Sequence, residues 1–373
     1  MGDTKLKKVA AALPGKVRKL ANYELFELGK NARHKVREML EAVFEAALNA
    51  TSVETVCELK EGSPSADTVR GHLDWKVSLD AVEGMMRDRV KWFITLLKRR
   101  FGRAEFEIAI DWTDEPYYGN KNNQFIIGME PKAGTCWAYE FFTASLLVKG
   151  GRLLFFAYPL YGRENLLYYV NRALLFLKEL GIKPSLLLFD RGFRSTDLFA
   201  YLKDEKIPFI TPAVQDSHFE RCVASVKKFP VRFNGWQMQN GDKETVEIDL
   251  IVQEEFSEGK DGKLERHLYG FYTNLPGKAY EDNADLISEF YGKRWGIETA
   301  HRCEDDFRIK STSVNGIARY LYFAVSSLVY NLWVYLNLLF CKNVDDFRII
   351  LKKDVMRLIG SMLVMGRSCL GDL

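Results

Sequence analysis

Three side chains of different chemistry occur at helical spacing in the segment ISEFYGKRWGIETAHRCEDDF: Tyr291, Arg294 and Glu298. Steps of three, four and seven residues return to one face of an α-helix, so these side chains are predicted to share one stripe. A guanidinium binds phosphate oxygens through a planar fork, and a carboxylate binds divalent metal ions. The stripe could therefore hold a metal ion and a phosphate together.

Two aspartates elsewhere in the chain could complete such a site. Asp111 follows the run EFEIAI and Asp190 follows PSLLLF, and both apolar runs are predicted to be strands. Three carboxylates from two strand ends and a helix are the minimum for two-metal phosphoryl transfer, in which one acid bridges the two ions. We expect Asp111 to bridge two Mg²⁺ ions, with Asp190 and Glu298 as the other ligands, because Mg²⁺ prefers oxygen.

Each acid also has a purely structural interpretation. An aspartate after a strand is a common turn former, and Asp114 and Glu115 are close rivals of Asp111. Glu298 could form only a surface ion pair with Arg294. Taken singly, each structural interpretation is as good as the functional one. Finding all three acids on the appropriate elements of one fold is much less expected by chance.

Further candidates lie around these acids. Arg191 is a candidate contact to a DNA backbone, and Arg302 is a further candidate phosphate or DNA contact. Trp236 could stack on an unpaired base, or it could be a core tryptophan. Of the histidines, only His301 lies close in sequence to these elements, and no CxxC pair occurs among the six cysteines, which disfavours zinc.

Composition indicates a soluble globular protein with a nucleic-acid partner. The chain has 373 residues, 47% of them apolar and 28% charged, with a net charge of +3. Lysines and arginines concentrate in the first 40 residues and again in 87–103, which suits a polyanion, although solvated helix faces explain them equally well. The scattered cysteines and the absence of a secretory signal predict a cytoplasmic protein.

One uncharged segment, from Tyr320 to Phe340, is long enough to cross a bilayer. It contains two serines and two asparagines, and no second apolar segment of this length occurs. We therefore interpret it as a helix buried against a sheet, with a membrane anchor as the alternative.

Residues 1–103 are predicted to be helical and to bind DNA. HKVREMLEAVFEAALNA, ADTVRGHLD and SLDAVEGMMRDRVKWFITLLKRR have helical periodicity, and Gly102 should end the last helix. A short turn before ADTVRGHLD resembles a helix-turn-helix unit, although many small helical bundles share this pattern.

The rest of the chain predicts an α/β fold. EFEIAID, NNQFIIGME and GGRLLFFAYPL are predicted strands, followed in order by a helix, PSLLLFD, the helix TDLFAYLKDEK and IPFITPAV. This order is that of a ribonuclease H-like mixed sheet with flanking helices. The catalytic domain would comprise 104–214 and 265–340, interrupted by an inserted β subdomain at 215–264, with a helical segment at 341–373.

Four stretches resemble the DDE transposases of bacterial and archaeal insertion sequences: AIDWTDEPYYG, LLLFDRGFRS, YGKRWGIETAHR and SSLVYNLWVYLN. More narrowly, the chain is similar to the branch with a Tyr-x2-Arg-x3-Glu helix and a β insertion. The resemblance covers about 104–340. It implies Asp111, Asp190 and Glu298 as the catalytic triad, two Mg²⁺ or Mn²⁺ ions, and Tyr291 and Arg294 beside the cleaved phosphate.

The resemblance also implies partners and one departure. A transposase of this kind acts as a homodimer on double-stranded DNA, both at terminal inverted repeats and on target DNA. No membrane partner is expected. Members of the branch often have a lysine seven residues after the glutamate, where this chain has Asp305. Arg308 or Lys310 could replace it. The alternatives to an active transposase are an inactive DNA-binding relative and a membrane-anchored protein.

Overall fold

The structure, a computed structural model, describes residues 2–148, 151–162, 165–240, 244–258, 263–276, 287, 291–292, 306–342, 349 and 351–364. The chain divides into two compact units. The first unit comprises residues 1–103, 112–162 and 298–373, and the second comprises 104–111 and 163–297.

Five helices open the first unit: α1 (Gly2–Ala21), α2 (Val36–Leu48), α3 (Val53–Leu59), α4 (Ala66–Lys76) and α5 (Leu79–Phe101). Serines at 52, 65 and 78 begin the last three by accepting a hydrogen bond from the backbone three residues later. Gly102 ends α5 with a φ of 68°, a left-handed conformation that favours glycine. The predicted helices α2, α4 and α5 are confirmed, whereas the short helix α3 lay outside the prediction.

Four strands follow: β1 (Glu105–Pro116), β2 (Ile126–Lys132), β3 (Thr135–Val148) and β4 (Gly151–Pro159). The sequence predicted only three here, because the strand TCWAYEFFTASLLV was overlooked. Positions 138–148 of β3 are all buried, so its residues lack the alternation that marks a half-exposed strand. One edge of β3 is divided between two partners, with Ile126–Lys132 paired to its first half and β4 to its second.

The second unit contains the remaining strands and several helices. They are α6 (Leu166–Glu179), β5 (Lys183–Phe189), α7 (Thr196–Asp204), β6 (Phe209–Pro212), α8 (Ser217–Ala224), β7 (Val231–Asn240), β8 (Glu244–Glu258) and β9 (Leu264–Thr273). β1 pairs in parallel with β5, and β5 with β6, while β6, β9, β8 and β7 pair antiparallel in that order.

Hydrogen bonds connect the nine strands in the order β2-β3-β1-β5-β6-β9-β8-β7, with β4 paired to β3. The result is the mixed sheet with flanking helices that the sequence predicts. β7 and β8 pair antiparallel within the predicted β insertion, and Asn240 and Glu244 are register partners. β8 and β9 continue past the last β7 pair as a two-stranded ribbon that ends with Glu258 opposite Leu264.

The long apolar segment forms α9 (Gly316–Leu338) in the first unit, and α10 (Lys353–Val364) follows it. By length and composition α9 is the one helix among the described residues that could cross a membrane, and its most apolar window is 100% buried inside the protein. It packs against α2, α5 and β4. Its polar side chains find protein partners, since the Asn331 amide bonds both the N–H and the carbonyl of Leu154 at 2.9 and 2.7 Å. This is the helix buried against a sheet that the sequence predicts.

Candidate catalytic site

The two aspartates start from neighbouring backbone positions in the second unit. Ile110 of β1 and Phe189 of β5 are register partners in the parallel pair, and Asp111 and Asp190 are the next residues along each strand. Neighbouring strands lie about 4.8 Å apart, so the two carboxylates leave the same edge of the sheet side by side. Both residues are half-buried.

Asp111 lies inside a strand rather than after one, which corrects the sequence prediction. The strand β1 continues to Pro116, but its pairing with β5 ends at Ile110. Ile108 and Ile110 are buried on one face, and Asp111 alternates with them onto the opposite face. The parallel pairing, and not the end of the strand, therefore determines where this carboxylate emerges.

Asp190 is held by the short turn that follows β5. A single 3₁₀ turn spans Arg191–Phe193, and the Asp190 carbonyl accepts hydrogen bonds from Phe193 N at 3.0 Å and Thr211 Oγ1 at 3.0 Å. Phe193 is fully buried, with its ring centre 5.6 Å from that of Phe189. The DRGF sequence thus places a core anchor three residues after the acid, and it leaves Arg191 exposed.

A cavity of about 610 Å³ in the second unit opens beside Asp190. Tyr291 lines this cavity together with Asp190, and its ring centre lies 5.2 Å from that of Phe271. Ile287, Tyr291 and Gly292 have the helical backbone that the sequence predicts here. The cavity is lined by Asp190, Arg191, Pro212, Gln215, Glu255, Tyr269, Gly270, Phe271, Tyr291 and Gly292.

Three lining side chains, Gln215, Glu255 and Tyr269, were missed by sequence reasoning. Tyr269 is 42% exposed on β9, and Glu255 is exposed on the neighbouring strand. Gly270 is needed because a Cβ there would lie 2.6 Å from the Phe219 ring. The only signal in the sequence was strand alternation, which does not reveal which exposed residues face a cavity.

A second residue of the DRGFR turn, Arg194, was also missed. It hydrogen-bonds the phenol of Tyr272 on β9. Burial raises the pKa of Tyr272, the charge of Arg194 opposes that shift, and the charge of Asp216 reinforces it. Tyr272 is 1% exposed, so its hydroxyl gives Arg194 a fixed partner. The interaction ties the turn that carries Asp190 to β9.

The rival acids and the basic substitutes lie in the first unit. Asp114 and Glu115 line a cavity of about 330 Å³ with Lys132 and Arg308. Glu115 is 8% exposed and pairs with Arg319 at 3.5 Å and Arg308 at 3.8 Å. This burial and pairing gives Glu115 a structural role. The ion pair also engages Arg308, one of the two basic residues considered as replacements for the missing lysine.

The other basic substitute, Lys310, lies in a different part of the first unit. It lines a cavity of about 780 Å³ with Glu54 and Arg70. Its backbone N–H donates to the Thr51 carbonyl at 3.1 Å.

Trp236 is packed in the manner of a core residue. It is 8% exposed, and its ring centre lies 4.5 Å from that of His218 and 5.9 Å from that of Phe233. The Trp236 ring is therefore covered by protein neighbours, and Trp236 has no part in the site proposed below. Arg294, Glu298, Arg302 and Asp305 lie outside the described residues.

The described residues alone do not bring three metal-binding side chains together. Among them no group of three or more His, Cys, Asp or Glu residues could hold a metal ion. The donor set of Asp111 and Asp190 nevertheless fits magnesium, because it consists of neighbouring carboxylate oxygens without nitrogen or sulfur.

Comparisons with known proteins identify the class. Residues 107–332 match a family model described as the Transposase DDE domain, which is more than half of the chain. The chain belongs to this family of transposases. No curated protein matches it.

A solved structure supports the fold. The cryo-EM structure of piggyBac transposase in a synaptic complex with hairpin DNA is similar, with a TM-score of 0.51 and 12% sequence identity. The alignment covers 96% of this chain and 77% of that chain. At this identity the likeness concerns the fold alone, and it confirms the predicted ribonuclease H-like α/β architecture.

Proposed function

We propose that this transposase cuts DNA at the terminal inverted repeats of a transposon and joins the released 3′ end to target DNA. The observation that carries the proposal is the placement of Asp111 and Asp190 after a register pair of adjacent parallel strands. Family membership supplies the reaction class. An inactive DNA-binding relative is the alternative, and the retention of both aspartates in this geometry argues against it.

Asp111, Asp190 and Glu298 would hold Mg²⁺ or Mn²⁺, with two ions as the expected number. When bound, such ions activate the attacking oxygen and stabilise the leaving oxygen of an in-line displacement. The contribution of the chain is to hold carboxylates on rigid backbone. Asp190 meets this requirement because its carbonyl has two hydrogen bonds and its turn is anchored by Phe193.

The remaining site residues would bind and orient the DNA. Tyr291 lines the same cavity as Asp190 and would contact the phosphate next to the cleaved bond, with Arg294 and Arg302 as charged partners. Arg191, exposed on the turn after Asp190, would contact the flanking backbone.

Double-stranded DNA, both transposon ends and target, would be the partner, and two copies of the chain would act on paired ends. The similarity to a transposase solved in a synaptic complex with hairpin DNA supports a DNA partner. A hairpin intermediate at the transposon end is one form that strand transfer could take. Residues 1–103 would supply DNA binding, 104–214 and 265–340 catalysis, and the protein would work in the cytoplasm on the nucleoid.

The test uses duplexes that carry the inverted repeats flanking the gene, incubated with protein and Mg²⁺ or Mn²⁺. Wild-type protein should cut at the repeat end, and Asp190→Asn and Glu298→Gln should each lose at least about 100-fold in rate. Asp197→Asn, an aspartate seven residues after Asp190 at the start of α7, serves as the matched control and should retain cleavage. Full-rate cleavage by Asp190→Asn would refute the site, and a wild type that binds ends without cutting would favour the inactive relative.

A further inference from the structure

A cluster of basic and aromatic side chains lies where α1 packs beside α5 and α9 in the first unit. The Lys16 ammonium lies 5.6 Å from the ring centre of Trp92 and 5.1 Å from that of Tyr335. The Lys19 ammonium lies 4.9 Å from the Trp92 ring centre, and the two rings are 6.1 Å apart. Two ammonium groups therefore share one aromatic platform.

Among the described residues, no carboxylate pairs with either lysine of this cluster, Lys16 or Lys19. Burial and the charge of Lys19 both lower the pKa of Lys16. The acid on this part of α5, Asp88, acts electrostatically on Arg89. Bringing like charges together costs free energy, and an anion placed across them would recover it.

The basic surface continues along α5. Lys91, Thr95 and Arg99 are exposed and four residues apart, so they form one solvent-facing stripe of about 12 Å. Thr95 is neutral and adds no negative charge to this stripe. A row of this length spans consecutive backbone phosphates, because duplex DNA carries one negative charge per roughly 1.7 Å of helix axis.

The helix-turn-helix candidate lacks such an excess of positive charge. Arg70, on the exposed side of α4, pairs with Glu54 at 2.8 Å and Asp67 at 2.5 Å. Asp74 and Lys76 are the other charged residues of α4, so its acids and bases balance. This helix therefore offers little net attraction to phosphate.

We propose that the α1–α5 basic face, defined as Lys16, Lys19, Lys91 and Arg99 around Trp92, binds the phosphate backbone of double-stranded DNA independently of its sequence. The inference rests on the proposed function and deepens it, because it assigns DNA binding to a surface made of residues other than those of the catalytic cavity. Phosphate contacts of this kind fix the position of a protein on DNA without reading bases.

The test replaces charge while keeping side-chain length, because the lysine stems pack on the rings. The double variant Lys16→Met/Lys19→Met is compared with the matched control Arg70→Met/Lys76→Met on α4. Binding to a random-sequence duplex is followed by fluorescence anisotropy between about 50 and 200 mM salt without divalent metal. The slope of log affinity against log salt should flatten by about 0.9 for each lost contact in the α1 variant. The α4 variant should keep the wild-type slope.

Thermal unfolding separates this role from a structural one. Removing two neighbouring cations should leave the Tm of the α1 variant equal to or above wild type, whereas a purely structural cation–π role predicts a lower Tm. Lys19→Glu, at an exposed position, is a second variant that should weaken binding more strongly.

A wild-type slope in the folded α1 variants, or flattening only in the α4 variant, would overturn the inference. Because the readout needs no cleavage, it can be run in the Asp190→Asn protein. If the wild type cleaves DNA but substitution of Lys16 and Lys19 leaves the salt slope unchanged, this inference fails and the proposed function stands.

Discussion

Asp111 is distinguished from its neighbours by strand register. It follows the last pair of β1 with β5, so it stands beside Asp190, whereas Glu115 is buried against Arg308 and Arg319 in the first unit. Asp114 lines the same small cavity as Glu115. Asp111 therefore has different surroundings from Asp114 and Glu115, which spacing alone did not reveal.

Asparagine substitutions test this distinction with the smallest change of shape. Asp111→Asn should reduce metal-dependent cleavage of end duplexes by at least about 100-fold, because an amide oxygen is a poor replacement for a metal-binding carboxylate. Asp114→Asn should cut at close to the wild-type rate. Initial rates on labelled duplexes measure both, with circular dichroism to verify folding. The assignment is wrong if the two variants exchange behaviours.

A buried tyrosine in the first unit should make stability depend on alkaline pH. Tyr139 is 1% exposed and donates to the Val314 carbonyl at 2.9 Å. Burial, followed by the neighbouring Tyr117, raises the pKa of Tyr139 to about 12. The folded state therefore prefers the neutral phenol, and this stabilisation is complete below pH 10 and is lost as pH rises from 10 through 12.

Between pH 9 and pH 11 the loss should amount to about 1 kcal/mol in the free energy of unfolding, because pH 11 lies only one unit above the unfolded-state pKa. Urea unfolding at pH 9 and at pH 11 measures it, and Tyr139→Phe should show a smaller decrease between the two values. An identical decrease in wild type and variant would contradict the assignment.

At the level of elements, the sequence predicted those whose patterns are local. Helical periodicity gave α2 and α5, the long uncharged run gave α9, and Gly102 ends α5 as predicted. The strand β3 was missed because burial on both sides removes the alternation by which strands are recognised. The cavity beside Asp190 could not be predicted, since the pairing of β6 with β9 brings its lining residues together from distant parts of the sequence.

Two side chains of α9 hydrogen-bond the backbone of β4, Tyr320 with one bond to Ala157 and Asn331 with two to Leu154. Asn331 is 1% exposed and satisfies both backbone groups of Leu154. Asn331→Leu should therefore lower the free energy of unfolding by about 2–4 kcal/mol, because it leaves a buried donor and a buried acceptor without partners. Ser327→Ala, one turn earlier in the same buried helix, is the control and should change stability by less than about 1 kcal/mol. Equal effects in a denaturant titration would show that the bridge contributes nothing specific.

For the whole molecule, burial of α9 leads to one expectation and pairing of transposon ends leads to another. The protein should remain in the supernatant after ultracentrifugation without detergent, because the apolar window of α9 is already covered by protein. On adding end duplexes, light scattering should show a complex that contains two protein chains. Recovery only from detergent-solubilised membranes would support the anchor, and a single chain per complex would contradict the homodimer.

The register that joins Asp111 to Asp190 also has a consequence for biosynthesis. β1 and β5 are far apart in the sequence and pair in parallel, and such nonlocal pairing is slow to form. A nascent chain would carry Asp111 long before β5 leaves the ribosome, and Glu298 would follow later still. On the proposed assignment, chains that terminate before Glu298 would lack a complete set of acids. The topology would thus spare the cell from stray DNA breaks made by translation fragments.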